Sequence, residues 1–118
     1  GEVLVVEDNM VIALGASDIL KDNGAEHVHM SGSVADALTI LETNTIIFAL
    51  LDVNLGDQTS LPVAQALADS KIPFVLATGY GDAESITASY PPTIIVKKPF
   101  TAERLVKAMA SALSSPDH

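Results

Sequence analysis

Short apolar runs alternate with stretches of helical periodicity along the chain. The runs are Val3–Val6, Ile46–Leu51, Phe74–Ala77 and Thr93–Val96, with a less apolar segment at His27–Met30. Each has the length of a strand, and Ile46–Leu51 is apolar on both faces, as a central parallel strand requires. Between the first two runs, Asn9 can cap a helix with Ile12, Ala16, Ile19 and Leu20 on one face. Asn23-Gly24 is the matching stop signal. Ser33, with Asp36 three residues on, opens a second helix carrying Val34, Ala37, Leu38 and Leu41. After a polar loop from Asn54 to Ser60, Pro62 falls in the first turn of a third helix, with Leu61, Ala64 and Ala68 on its face. Gly79 to Ser89 is Gly-rich and poorly periodic, so its helix is expected to be short or weak. A last helix follows Thr101, with Leu105, Ala108, Met109 and Ala112 at helical spacing.

Strands alternating with helices predict a doubly wound α/β sandwich. The expectation is a flavodoxin-like (βα)5 domain over residues 1–118, its five-stranded parallel sheet ordered 2-1-3-4-5. The weakly apolar His27–Met30 then falls on an edge. In such a sheet, ligands gather at the carboxyl ends of the strands. Polar residues stand at four of those ends: Glu7-Asp8, Asp52, Thr78 and Lys98-Pro99.

Composition narrows the chemistry. With 48% hydrophobic residues in 118, a folded domain with a real core is expected. There is no cysteine, so disulfides, thiolate nucleophiles and zinc-thiolate sites are excluded. A net charge of −9 opposes binding to a nucleic-acid backbone, and the six basic residues form no stripe. No apolar run is long enough to span a bilayer. The chain opens Gly1-Glu2 without a basic segment, so no secretory leader is expected, and a start without Met points to a trimmed terminus. A cytoplasmic monomer is the expectation.

Strands one and three are neighbours in the 2-1-3-4-5 order, so Glu7, Asp8 and Asp52 converge. Packed carboxylates raise one another's pKa, and a hard cation relieves the repulsion. An oxygen-only ligand set suits Mg²⁺, with Mn²⁺ as the alternative ion. Lys98 adds a positive group and Thr78 a hydroxyl donor. Charge neutralisation and donors around a central carboxylate are the parts needed for phosphoryl transfer. The carboxylate itself can serve as nucleophile, giving an aspartyl phosphate.

The segments V-L-V-V-E-D-N, L-L-D-V-N-L, A-T-G-Y and K-K-P-F resemble the receiver domain of two-component response regulators over essentially the whole chain. The resemblance implies that Asp52 is the phosphoacceptor and that a histidine kinase or phosphotransfer protein is the donor. It implies that Asp8 holds Mg²⁺, with Glu7 assisting through water and Asn54 giving a backbone carbonyl. Lys98 would pair with the phosphoryl oxygens, Thr78 would hydrogen-bond to them, and a cis peptide is expected at Lys98–Pro99. The result is a signalling switch rather than an enzyme, with some capacity for its own phosphorylation and dephosphorylation.

One position departs from the family. Receivers carry an aromatic switch residue three positions before the Lys, and Ile95 stands there. The segment P-F-V-L-A-T-G-Y-G instead resembles a subset named for its Phe-Ala-Thr-Gly-aromatic signature, with Leu76 in place of Phe. That subset implies kinases of the HWE/HisKA2 class. Tyr80, flanked by Gly79 and Gly81, is then the candidate switch, because glycine on both sides frees the loop. His27 and His29 share one strand face and read as a surface pair without a third ligand. Lys97 and Asp57 read as surface charges, and Phe100 as the anchor of the last helix.

Two other readings stay open. A pseudo-receiver would dock a partner without being phosphorylated. An aspartate-nucleophile phosphatase of the haloacid dehalogenase type needs a second Asp two residues after the nucleophile, where this chain has Asn54. A flavodoxin would share the fold, but E-D-N-M after the first strand is hostile to an anionic cofactor. No G-x-G-x-x-G, P-loop or G-x-S-x-G pattern occurs.

Overall fold

The apolar runs become the strands of one parallel sheet. In the structure, a computed structural model that describes residues 1–79 and 88–114, β1 (Glu2–Val6) lies between β2 (His27–Ser31) and β3 (Ile46–Asp52). Beyond β3 come β6 (Phe74–Thr78) and β7 (Ile94–Lys97), giving five strands in the order β2-β1-β3-β6-β7. All four pairings are parallel. Counting only the strands of this sheet, the order is the expected 2-1-3-4-5, with β2 on one edge.

Four helices flank the sheet among the described residues: α1 (Met10–Asp22), α2 (Val34–Thr43), α3 (Leu61–Asp69) and α4 (Ala102–Leu113). Strand alternation sends side chains to opposite faces. Val3, Val5, Phe48, Leu50 and Val75 therefore meet Ala13, Ala16 and Leu20 of α1 and Leu105 and Ala112 of α4. Leu4, Val6, Ala49, Leu51 and Leu76 meet Ala37 of α2 and Val63 and Leu67 of α3. Both faces of the central strands are thus covered, and each large side chain so buried contributes about 1.5–3 kcal/mol.

Caps at the sheet's carboxyl edge turn the chain from strand to helix. Asn9 Oδ1 accepts the N–H groups of Val11 at 3.0 Å and Ile12 at 3.3 Å. Ser33 Oγ accepts the Asp36 N–H at 3.2 Å, and Thr101 Oγ1 accepts the Arg104 N–H at 3.2 Å. Gly24, after the end of α1, has φ +106°, a conformation only glycine adopts without strain.

Three expectations need correction. The stretch from Asn54 to Ser60 is not simply a polar loop: β4 (Asn54–Leu55) and β5 (Gln58–Thr59) pair as a small antiparallel hairpin, with Leu55 buried. On α3 the buried residues are Val63, Ala64 and Leu67, while Ala68 is exposed and Leu61 only half-buried. The bulkier Val63 and Leu67 turn the helix so that they, rather than Ala68, fill the core. The last strand spans Ile94–Lys97 rather than starting at Thr93, whose hydroxyl donates to the Phe74 carbonyl just before it. The helix expected between Gly79 and Ser89 falls mostly outside the described residues. The peptide bond Lys98–Pro99 is cis, as expected.

Candidate functional site

The site forms where four strands run out at one edge. Glu7 directly follows β1, and its N–H donates to the Ser31 carbonyl at 2.8 Å, continuing the sheet by one residue. Asp52 is the last residue of β3 and Thr78 the last of β6. Lys98 follows β7, and its N–H donates to the Thr78 carbonyl at 2.7 Å. Parallel register thus brings residues that are far apart in sequence to one place. Glu7, Asp52 and Thr78 are 5%, 7% and 8% exposed, whereas Asp8 faces solvent.

The Lys98 ammonium sits between two carboxylates. Its Nζ is 2.9 Å from Glu7 Oε1 and 3.0 Å from Asp52 Oδ2. Such distances mark charge-assisted hydrogen bonds. Burial pulls the Lys98 pKa down, but the hydrogen bonds to Glu7 and Asp52 outweigh it and hold it above the ordinary lysine range. Burial, then the neighbouring Asp52, pushes the Glu7 carboxyl up to about 7, with Lys98 pulling the other way. One cation does not neutralise the two carboxylates it touches.

The surplus of negative charge defines what the site can take. Ligand atoms of Glu7, Asp8 and Asp52 lie within 4.8 Å of one another. Glu7 Oε2 is buried without a hydrogen-bond partner among the described residues. A hard divalent cation with oxygen ligands fits both facts. Asn54, whose backbone carbonyl was expected to join this set, lies two residues past Asp52 in β4. At the turn of the hairpin, Gly56 has φ +69°, and a Cβ there would lie 3.9 Å from Asp8 Oδ2. The hairpin therefore brings its turn beside the acidic cluster.

Protein comparisons agree with this geometry. A family model described as "Response regulator receiver domain" matches residues 3–110. The chain belongs to that family. SdrG from Sphingomonas melonis Fr1 has a solution structure that is 39% identical, with a TM-score of 0.79 over 95% of each chain. The receiver domain of the PhyR response regulator from Erythrobacter litoralis shares the fold at 21% identity, with a TM-score of 0.84 over 98% of this chain and 93% of that one. The transcriptional regulatory protein PdtaR of Mycobacterium tuberculosis is 24% identical over 95% of this chain. This receiver spans 56% of PdtaR's length.

The remaining sequence candidates are spread over the domain. Gly79, just past Thr78, is half-buried. Tyr80 and Gly81 lie outside the described residues. Ile95, at the usual aromatic switch position, is half exposed on edge strand β7. Lys97 and Asp57 are exposed, and Phe100 packs against the core. His27 and His29 stand near the start of β1, with His29 Nε2 2.8 Å from Glu2 Oε1 and the two rings edge-on at 4.3 Å. They take no part in the acidic cluster.

Sequence reasoning missed Ser60 and Tyr90. Both are buried, and their hydroxyl oxygens are 2.9 Å apart. The one available signal was a Tyr followed by two prolines just before a strand, which reads as an ordinary turn.

Proposed function

We propose that this receiver is a phosphorylation-controlled switch with Asp52 as the phosphoacceptor. An Asp52 carboxylate oxygen attacks the phosphorus of a phosphohistidine, the P–N bond breaks, and the imidazole leaves with that electron pair. The observation that carries this reading is the Lys98 ammonium held 3.0 Å from Asp52 Oδ2 beside an acidic cluster of divalent-cation dimensions.

Each neighbour has a task in that transfer. Lys98 is placed to follow negative charge from the carboxylate to the phosphoryl oxygens. Thr78, at the end of the adjacent strand, donates its hydroxyl to them. Glu7, Asp8, Asp52 and the Asn54 carbonyl would hold Mg²⁺, which supplies charge neutralisation at the phosphoryl group. Phosphorylation at Asp52 then biases two conformations, and a protein partner reads the difference. On this reading the domain is a cytoplasmic monomer, a signalling switch rather than an enzyme. A phosphate sink is the other output it can serve.

The P-F-V-L-A-T-G-Y-G segment and Ile95 support membership of the Phe-Ala-Thr-Gly-aromatic subset, and with it a kinase of the HWE/HisKA2 class. Tyr80, between Gly79 and Gly81, is the proposed switch residue.

Incubation with acetyl phosphate and Mg²⁺, followed by intact-mass measurement, tests the central claim. Addition of one phosphoryl group that disappears in Asp52→Asn is the expected result. No modification by acetyl phosphate, phosphoramidate or a panel of kinases would mean a pseudo-receiver instead.

A further inference from the structure

Two hydroxyls with no part in the phosphoryl chemistry are buried next to the phosphoacceptor strand. Tyr90, in the segment leading to β7, is 7% exposed, and Ser60, just before α3, is fully buried. Tyr90 Oη lies 2.9 Å from Ser60 Oγ and 3.4 Å from the Val53 carbonyl oxygen. A phenol has one hydrogen to give, and a carbonyl oxygen only accepts. Both contacts are hydrogen bonds together only when Ser60 donates to Tyr90 and Tyr90 donates to Val53. The same Val53 carbonyl accepts the Ser60 N–H at 2.9 Å. The three residues thus close a ring of hydrogen bonds around one peptide.

That peptide joins Val53 to Asn54, directly after Asp52. Its N-terminal side is also held, since the Val53 N–H donates to the Ala77 carbonyl at 3.3 Å. The segment that supplies Tyr90 runs on into β7, which delivers Lys98. One latch therefore ties the chain on the acidic side of the site to the chain that brings its lysine.

A second, independent observation concerns Ser60. It occupies the N-cap position of α3, yet its side chain makes no capping hydrogen bond. Asn9, Ser33 and Thr101, in the same position on the other described helices, all cap with their side chains. Serine at an N-cap ordinarily accepts an N–H of the first helical turn. Pro62, second in α3, has no N–H to give, and the Val63 N–H goes to the Ser60 carbonyl at 3.0 Å, which leaves the Ser60 hydroxyl for the long-range contact.

We propose that Tyr90, acting through Ser60, is a positioning residue for the divalent-cation side of the site. The latch fixes the Val53–Asn54 peptide and so the placement of the Asn54 carbonyl. The proposal rests on the reading of the acidic cluster as a Mg²⁺ site. It gives the role of holding a metal ligand to a tyrosine far from the metal cluster in sequence.

Tyr90→Phe removes the hydroxyl and keeps the ring in its cavity. The Val53 carbonyl retains the Ser60 N–H, and the Ser60 hydroxyl loses only its acceptor, so the variant is expected to fold. The measurement is calorimetric titration of the unphosphorylated full chain with MgCl₂ alone. It is run on the wild type, Tyr90→Phe, Ser60→Ala and the double variant, with thermal unfolding in parallel. The Mg²⁺ dissociation constant is expected to rise about tenfold, the lower end of what outer-shell partners contribute. The double variant should be no weaker than either single one, because one chain of bonds is broken once. Val63→Ala serves as the control, since it loosens α3 with the latch intact. An unchanged constant in Tyr90→Phe, or an equal loss in Val63→Ala, overturns the proposal. A wild-type chain that does not bind Mg²⁺ overturns the metal reading itself, and this proposal with it.

Discussion

Replacing Glu7 by Gln should stabilise the metal-free receiver at neutral and alkaline pH. In the folded protein, burial and the nearby Asp52 hold the Glu7 carboxyl at about 7, against an ordinary 4.5 in the unfolded chain. The folded state therefore keeps a proton that the unfolded state has already released. Stability falls as pH rises from 4.5 to about 7 and levels off above that window. At 1.36 kcal/mol per pH unit, the shift corresponds to about 3 kcal/mol. Solvent at the open edge of the sheet screens part of this, which leaves about 2 kcal/mol. Gln keeps the shape and an oxygen for Lys98, and Lys98 keeps Asp52. Urea unfolding of wild type and Glu7→Gln between roughly pH 5 and pH 8 gives the test, because their difference cancels every group they share. The variant should gain on the wild type as pH rises. Saturating Mg²⁺ should reverse that gain, since the ion binds the ionised cluster and stabilises the wild type by mass action. A difference that is flat across the window, or one that grows in favour of the wild type, would refute the account of Glu7.

Two further predictions follow from the core and from the proposed switch. Phe48→Ala empties a fully buried site at the centre of the sheet and should cost about 3–5 kcal/mol in urea unfolding. A cost under about 1 kcal/mol would mean that the two helical layers collapse onto the gap. Tyr80→Ala should speed loss of the phosphoryl group several-fold, if that ring covers it. Unchanged dephosphorylation and unchanged phosphorylation-induced chemical shifts would remove Tyr80 from the switch.

Most of the sheet was legible because four of its strands are contiguous apolar runs and three of the described helices start on a capping side chain. The edge position of β2 followed from the flavodoxin-like strand order, and its weakly apolar residues suit an edge. The placement of the candidate site was legible for a similar reason: Glu7, Asp8, Asp52, Thr78 and Lys98 each stand at the end of a recognisable run, so topology alone brings them together. What escaped was set by contacts between segments with no local pattern. The β4–β5 hairpin has strands of two residues, too short for alternation to register. Val63 and Leu67 share the core face of α3 only because of how that helix docks. Ser60 was only the end of a polar loop, and nothing local showed that its hydroxyl would meet Tyr90, 30 residues away. Glu7 was expected to act through water, and nothing local showed that it would bond directly to Lys98.

The Glu7–Lys98 bond joins residues 91 positions apart. Such a contact forms only when a long stretch of chain has closed on itself, a step whose entropy cost grows with the length enclosed. Until β7 docks, Glu7 and Asp52 stand side by side without their counter-ion and push apart. The counter-charge thus arrives with the final strand of the sheet. On the proposed function, a molecule able to accept a phosphoryl group is for that reason one whose sheet is already complete, and competence to signal would double as a check on folding.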